Sequence, residues 1–554
     1  MNQTDKSFWT RQHSFRDLPR LVLPFVSPRM LLRYFFFLAS LATMIAFFYA
    51  EEDLRGKHAW ESYMHQSKAR GIELDWRAYI PPPVPDDQNF ATTPPFEGMF
   101  DYEWTSNNLH CRDTNIWSRI EWEFLGSGPR TPTLGNWVRG RPLDLKEWQA
   151  YFRTATSTQA KRGPVPPEQS AHNVLATPTR WPIPVQPEEP AHDVLLALSK
   201  LDPGLTALRQ ASARPQSRFP IHYDELPKSL VVHLTFLGNV SRVLQLRAVA
   251  ELQAGSNQLA FADANLAFYC ADAIKSDAVM VSQIVRYSMI EGALQPIWEG
   301  LSAHRWSEDQ LKEFQRNFSK IDLLSQYDRS VTADLAFTCG WIESLPDDPS
   351  TFSMVEGGPT ARSVIEAAMD AHLLPRGWFY QNELSAARLF QNNFLPDVAP
   401  QTQRVYPCLS RTNATLFDKL PDTPYNFAIK HLNSVVSPQG FVRAQTEINF
   451  ALVACALERF RMAHGRYPHN LNALTPEFLD AMPHDIINGE PLKYRLTGPG
   501  RFILYSVGWN EKDDGGAYPG PNAPNFGSGI NRGFRSLNKF HPETGDWVWS
   551  YPAR

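Results

Sequence analysis

The chain has few cysteines, and none of them are at metal-binding or redox spacing. Only five occur among 554 residues, and no two stand in a C-x-x-C pattern. This scarcity excludes a disulfide-rich scaffold, and the missing pattern excludes the common zinc and thioredoxin-type motifs. Buried free thiols are the favoured interpretation, with a single disulfide as the alternative. The residues concerned are Cys111, Cys270, Cys339, Cys408 and Cys455.

The chain also lacks an excess of charge of one sign. It has 54 Lys and Arg against 58 Asp and Glu, a formal net charge of −4 and a pI near 6.4. A nucleic-acid-binding protein normally carries a basic face, so this balance predicts no nucleic-acid partner. The length exceeds what one hydrophobic core usually supports, which predicts roughly two to four domains.

No recognisable nucleophile motif is present. Ser536 and Lys539 satisfy the loose S-x-x-K pattern, but glycines crowd its approach and neither S-D-N nor K-T-G follows. In penicillin-recognising enzymes the lysine activates a serine that lies on a helix. The glycine-rich sequence before Ser536 predicts no such helix. The pattern is therefore interpreted as chance.

Three histidines near the C-terminus could form a metal or acid–base cluster. His464, His469, His484 and the neighbouring Asp485 fit no zinc spacing. A general base also needs a partner within hydrogen-bond reach, which spacing alone does not supply. The sequence predicts no catalytic residue and no bound cofactor.

One long apolar run is present instead. Residues 31–50 read LLRYFFFLASLATMIAFFYA, and their only charge is Arg33. Twenty helical residues rise roughly 30 Å, the thickness of a hydrocarbon core. A cleaved signal peptide is the competing interpretation, but Phe48 stands where the cleavage motif needs a small residue. The run predicts a transmembrane signal anchor over 31–50 that follows a cytoplasmic tail over 1–30.

The flanking charges predict the orientation of this anchor. Basic residues precede the span and acidic residues open its far side, and positive charge favours the cytoplasmic side. We therefore expect a cytoplasmic N-terminus and a C-terminal bulk outside the cytoplasm. Arg20 and Arg29 precede the span and Arg33 lies at its start, whereas Glu51, Glu52 and Asp53 follow it alongside Arg55 and Lys57.

Proline shapes the next two regions. Residues 51–162 are predicted as a juxtamembrane region with irregular strands, and they include a proline-rich spacer over 81–85. Residues 163–220 are predicted as a linker that contains a 20-residue duplication, PVPPEQSAHNVL followed by PVQPEEPAHDVL. The duplicated His172 and His192 could be paired ligands or docking peptides, and duplicated linker is the favoured interpretation.

Helical periodicity dominates residues 221–345. Leucines and valines recur at helical spacing before and after a break at Gly255, which predicts a helical hairpin within a bundle. Ser307 and Gln310 form a predicted capping box for a later helix. The small residues of the hairpin weakly resemble a tetratricopeptide unit, without its 34-residue period. Residues 346–435 are predicted as an irregular or helical connector.

Residues 436–554 are predicted as a small α+β domain. A helix over 441–463 ends at Gly465, and the strands PLKYRL and RFILYSVG follow. This segment resembles the globular head of the major pseudopilins of type II secretion, although a pseudopilin has its membrane helix fused directly to the head. The matching residues are Tyr467, Pro468, Leu471, Pro483, Asp485, Gly489, Pro491, Tyr494, Leu504, Tyr505, Ser506, Gly508, Gly515 and Gly516.

The pseudopilin resemblance implies a calcium site in the loop after the last strand. Asn510, Glu511, Asp513 and Asp514 would supply the oxygen ligands that calcium prefers. A solvated acidic turn is the alternative. The tail that follows is predicted to fold back and bury Trp547 and Trp549.

The whole chain also resembles uncharacterised single-pass membrane proteins of planctomycete and verrucomicrobial bacteria. The resemblance rests on the anchor, on AYIPPPVPDDQNF (residues 78–90) and on an ending like YSVGWNExDDGG. It implies the inner membrane of a bacterial envelope, with the C-terminal bulk in the periplasm, and no particular activity. The expected fold is mostly α with a small α+β C-terminal domain. The expected role is a scaffold with protein partners in the envelope, one setting being secretion, and the alternative is an envelope hydrolase that uses the C-terminal loops.

Overall fold

The computed structural model describes most of the chain and confirms the predicted fold class. The described part is mostly helical, with small antiparallel sheets. It covers residues 28–105, 108–111, 131–162, 181–225, 231–347, 373–413, 416, 419–430, 437–498, 500–517 and 545–551.

The anchor belongs to a helix twice as long as the apolar run. Helix α1 extends over Pro28–Ala69, 42 residues, which corresponds to roughly 63 Å of helix. The predicted span over 31–50 forms its first half, and the charged segment after the span continues the same helix without a break. The segment after the apolar run is therefore helical from its first residue.

Five helices fill the described residues between 231 and 345, as the periodicity predicts. They are α5 (Val232–Gln253), α6 (Asn257–Asp272), α7 (Met280–Ser302), α8 (Glu308–Phe318) and α9 (Leu323–Ser344). The hairpin of α5 and α6 turns at Gly255, whose φ of 83° favours glycine. The capping box is confirmed: Gln310 N–H donates to Ser307 Oγ at 3.3 Å, and Ser307 N–H donates to Gln310 Oε1 at 2.9 Å.

Two short strands and three short helices precede this bundle in the chain. The strands β1 (Tyr102–Thr105) and β2 (Asn108–Cys111) form a hairpin, and the helices are α2 (Leu145–Arg162), α3 (Pro190–Leu198) and α4 (Asp202–Ala211). Asp144 caps α2 by accepting a hydrogen bond from Lys146 N–H at 2.8 Å. Helices α3 and α4 lie inside the segment predicted as a linker. Helix α3 forms there because Pro190 is favoured in its first turn, and because α3 packs against α5 and buries Val194.

The segment predicted as a connector contains a helix that matters for the site. Helix α10 (Arg376–Leu389) packs against both α1 and α9. It continues into a π-helical turn (Phe390–Phe394), followed by strands β3 (Val398–Ala399) and β4 (Arg404–Val405) and helices α11 (Pro407–Asn413) and α12 (Phe427–Lys430). Helix α10 thereby joins the anchor helix to the bundle.

The C-terminal elements share their core with the bundle. Helix α13 (Gln439–His464) packs against α7, α8 and α9 and ends at Gly465, whose φ is 74°. Strands β5 (Lys493–Gly498), β6 (Arg501–Ser506) and β7 (Trp547–Ser550) form an antiparallel sheet in that order. Trp549 is buried opposite Leu504, so the tail does fold back as predicted.

Candidate membrane-exit site

The first half of α1 is exposed on all sides. An 18-residue window of it has a mean hydropathy of 1.9, and no residue of that window is buried. It includes Phe35 and Phe47, whose side chains are 66% and 73% exposed. Among the described residues, α1 is the single helix that is long and apolar enough to cross a membrane. Such a surface is stable in lipid and would be costly in water.

The second half of α1 buries one stripe. The buried residues Glu52, Gly56, Trp60 and Ser67 recur at intervals close to multiples of a helical turn. Most of this stripe faces α10, which runs parallel to α1. The start of α10 lies beside residues 52–56, and Gln391, just beyond its end, lies beside Ser67. The chain therefore returns to residues 52–56, where the packed half of α1 begins; we call this place the exit point. From there α10 runs beside α1 in the same direction.

Two glycines let the helices meet at this exit point. A β-carbon on Gly56 would overlap the carbonyl group of Gly377, and a β-carbon on Gly377 would overlap the carbonyl group of Glu52. Any side chain at either position would force the backbones apart. The contact therefore requires glycine on both helices.

Asp53 caps the incoming helix. The backbone N–H of Gly377 donates to Asp53 Oδ1 at 2.7 Å. The N-cap residue of α10 is Pro375, which provides no side-chain hydrogen bond of its own. The carboxylate of α1 supplies the missing acceptor and places negative charge at the positive end of the α10 dipole.

Glu52 joins three segments at the same level. Its carboxylate accepts hydrogen bonds from Trp378 Nε1 at 3.0 Å and from Arg55 Nη2 at 2.6 Å. Arg55 also donates to Tyr425 Oη at 2.8 Å, and these bonds to Tyr425 and Glu52 raise the pKa of the guanidinium above its usual value. We call this group the exit collar; it consists of Glu52, Asp53, Arg55, Gly56, Gly377, Trp378 and Tyr425.

A second polar cluster holds the far end of α1. Gln391 Oε1 accepts hydrogen bonds from Tyr63 Oη at 3.0 Å, from Arg70 Nη2 at 3.1 Å and from Ser67 Oγ at 3.4 Å. The second half of α1 is thus fixed at both ends. The helix continues without a break from the apolar half into this packed half. The apolar half is therefore a rigid extension of the body.

The four predicted calcium ligands lie close in sequence but have protein partners. Glu511 pairs with Arg411 at 2.6 Å, and Arg411 also donates to the carbonyl of Trp509 at 2.8 Å. Asn510 Nδ2 donates to Asp514 Oδ2 at 2.8 Å, and Asp513 lies 4.0 Å from Lys493 Nζ. In the part of the chain that the structure describes, no three His, Cys, Asp or Glu side chains are placed to hold a metal ion. The calcium site stays a prediction.

Asp485 and the three histidines have separate structural neighbours. Asp485 is buried and accepts bonds from Ser506 Oγ at 2.9 Å and from the N–H groups of Ile487 and Val507, both at 3.0 Å. His484 Nε2 contacts the carbonyl of Gln403 at 3.1 Å. His464 stacks on the ring of Phe460, and His469 is exposed. Asp485 thus anchors the β6 strand end.

Four cysteines, Cys270, Cys339, Cys408 and Cys455, are free thiols. Cys270, Cys339 and Cys455 are buried, which raises the pKa of each, to about 12 for Cys270, and leaves little thiolate for nucleophilic chemistry. Cys408 is exposed. Ser536, Lys539 and His172, together with residues 112–130 of the region predicted to hold irregular strands, lie outside the described residues.

Sequence reasoning missed the exit collar. Its only local signals are a lone glycine at position 56 inside a helical pattern and the turn-like sequence Pro-Arg-Gly-Trp at 375–378. These two signals are more than 300 residues apart, and nothing local connects them. Known protein families, curated proteins and solved structures gave no match to this chain.

Proposed function

We propose that the chain is a single-pass protein of the bacterial inner membrane that holds a large periplasmic body against the membrane surface as a scaffold for protein partners. The observation that carries this proposal is the exit collar. A flexible tether needs no buried carboxylate, no helix cap from another segment and no glycine-to-glycine contact. These features together stabilise one orientation of the body relative to the bilayer.

The chemistry of the described residues supports a scaffold over a hydrolase. The buried thiols have raised pKa values, and Asp485 already accepts hydrogen bonds that order β6. In a nucleophilic site these groups would be activated or free to contact substrate. The polar groups here instead join one structural element to another.

The orientation can be tested with a thiol that the chain already has. Cys408 is exposed on α11, far along the chain from the anchor. In intact spheroplasts, a membrane-impermeant maleimide should label the native chain, and Cys408→Ser should reduce that labelling. Labelling that appears only after lysis would place the body in the cytoplasm and overturn the proposed topology.

The scaffold role has its own test. Capture of the intact chain from gently solubilised membranes should recover an envelope protein at a fixed ratio to the chain. The same capture from cells that express Gly56→Ala should recover less of that protein, because its body is no longer held in one orientation. Purified chain that is free of partners and hydrolyses an envelope polymer would contradict the proposal.

A further inference from the structure

A second segment of the chain reaches the level at which the apolar half of α1 ends. Tyr49 is the last aromatic residue of the apolar run, and its hydroxyl donates to the backbone carbonyl of Leu373. The ring of Phe48 packs edge-on against Trp378, with ring centroids 6.3 Å apart. Leu373 therefore lies level with residues whose other faces are exposed and apolar.

Leu373 itself has no protein cover over most of its side chain. It is 64% exposed, more than any other large apolar side chain of the described body except Val185 and Leu54. In water, exposure of this apolar side chain is unfavourable. Lipid would remove it from water without any further protein contact. Its position beside Tyr49 supplies that lipid if α1 crosses the membrane.

The residues that follow Leu373 change character in the order that a membrane interface demands. Arg376 is exposed and paired with Asp347 at 2.9 Å. The Trp378 ring lies on Phe48, and its N–H donates to Glu52 at 3.0 Å. An apolar tip, a basic residue and an indole with a satisfied N–H resemble the aromatic and basic belts of membrane proteins at headgroup depth.

The geometry points to Leu373–Trp378 as a second membrane contact, at which Leu373 enters the boundary between headgroups and acyl chains beside α1. This inference rests on the proposed membrane anchoring. The partner is the lipid bilayer itself, because the segment is continuous in space with the exposed apolar half of α1. The body would then have two contacts with the membrane, which resists rotation about the axis of α1.

Spin-label accessibility in the full-length chain tests this contact. The labelled positions are Phe47→Cys, Leu373→Cys and Leu409→Cys, each in a chain with Cys111 and Cys408 replaced by serine. Leu409 is 47% exposed on α11 and serves as the matched control. In phospholipid vesicles, molecular oxygen reports lipid and a water-soluble nickel chelate reports solvent. We expect the oxygen-to-nickel ratio at position 373 to approach that at position 47 and to exceed that at position 409 severalfold.

The three labels distinguish the possible failures. A ratio at position 373 equal to that at 409, with a lipid-like value at 47, would overturn the second contact and leave the anchor intact. A label at 373 that is shielded from both reagents would mean that protein covers the site, either residues 348–372 or a second copy, and would also overturn it. A solvent-like value at position 47 would overturn the proposed anchoring and the second contact together.

Discussion

The two halves of α1 share one backbone geometry and differ in everything around them. Residues 31–47 are apolar apart from Arg33 and are all exposed, whereas residues 51–69 bury a stripe that begins with Glu52 and Gly56. A buried carboxyl group and a close contact between two glycine backbones are features of a protein interior, not of a lipid-facing surface. Under the proposed membrane anchoring, one uninterrupted helix lies in two environments, and the change occurs within about one turn.

The largest effect should follow from charging the apolar half. We expect Leu41→Asp with Ile45→Asp to move the chain out of the membrane fraction. Each charge near the bilayer centre costs about 3 kcal/mol on translocon-insertion scales. Leu259→Asp is the control, because Leu259 is exposed on α6 of the body. A double variant that still sediments with membranes after a high-salt wash would break the distinction between the halves.

The next effect tests the packed half. Gly56→Ala should lower the stability of the α1–α10 contact by about 1–3 kcal/mol, because the new β-carbon overlaps the Gly377 carbonyl. Limited proteolysis should then cleave faster near the collar. Gly498→Ala is a matched control at a glycine whose β-carbon would meet nothing within 4 Å. Equal cleavage of the two variants would show that the collar does not hold the helices together.

The stability of the body should depend on pH, whereas the membrane partitioning of the anchor should not. Burial raises the pKa of Asp397 to about 7, and Asn413 holds its Oδ1 at 2.7 Å. Because the folded state keeps the proton that the unfolded state releases near its ordinary pKa, stability falls as pH rises between about 4 and 7 and levels off above that. Asp397→Asn should flatten this fall by up to about 1.4 kcal/mol per pH unit in chemical denaturation. Membrane partitioning should not change with pH, and an unchanged slope in the variant would contradict the assignment.

The smallest effect concerns the calcium loop. Calcium must displace Arg411 from Glu511, so we expect the native chain to melt only about one degree higher, or less, at millimolar calcium. Arg411→Ala should enlarge that rise, because it frees the Glu511 carboxylate and the Trp509 carbonyl. Differential scanning calorimetry with magnesium as the control ion checks this. No calcium response in either chain would reject the site.

Features that depend on neighbouring residues could be predicted from the sequence. The apolar run, the capping box at Ser307 and the stop at Gly465 each need only a few adjacent positions. The helices over 190–211 are not predicted, because a proline-rich segment indicates a linker; Pro190 instead stands in the first turn of a helix, where proline is favoured.

The collar could not be predicted because its residues belong together only in the folded chain. Gly56 is explained by Gly377, and Asp53 by the unsatisfied N–H groups at the start of α10.

Helix α13 presents a similar case. Its pattern predicts an amphipathic helix, but α7, α8 and α9 cover it so widely that Glu447 and Glu458 are also buried.

A spin-label scan through residues 31–69 of the full-length chain in lipid vesicles tests the central claim most directly. The account predicts high oxygen accessibility on every face from residue 35 to 47. From residue 51 onward it predicts solvent accessibility that rises and falls with a helical period, with minima at Glu52, Gly56 and Trp60. The same helical period already present through residues 35–47, or free solvent access there, would contradict a helix that passes from lipid into the body of the protein.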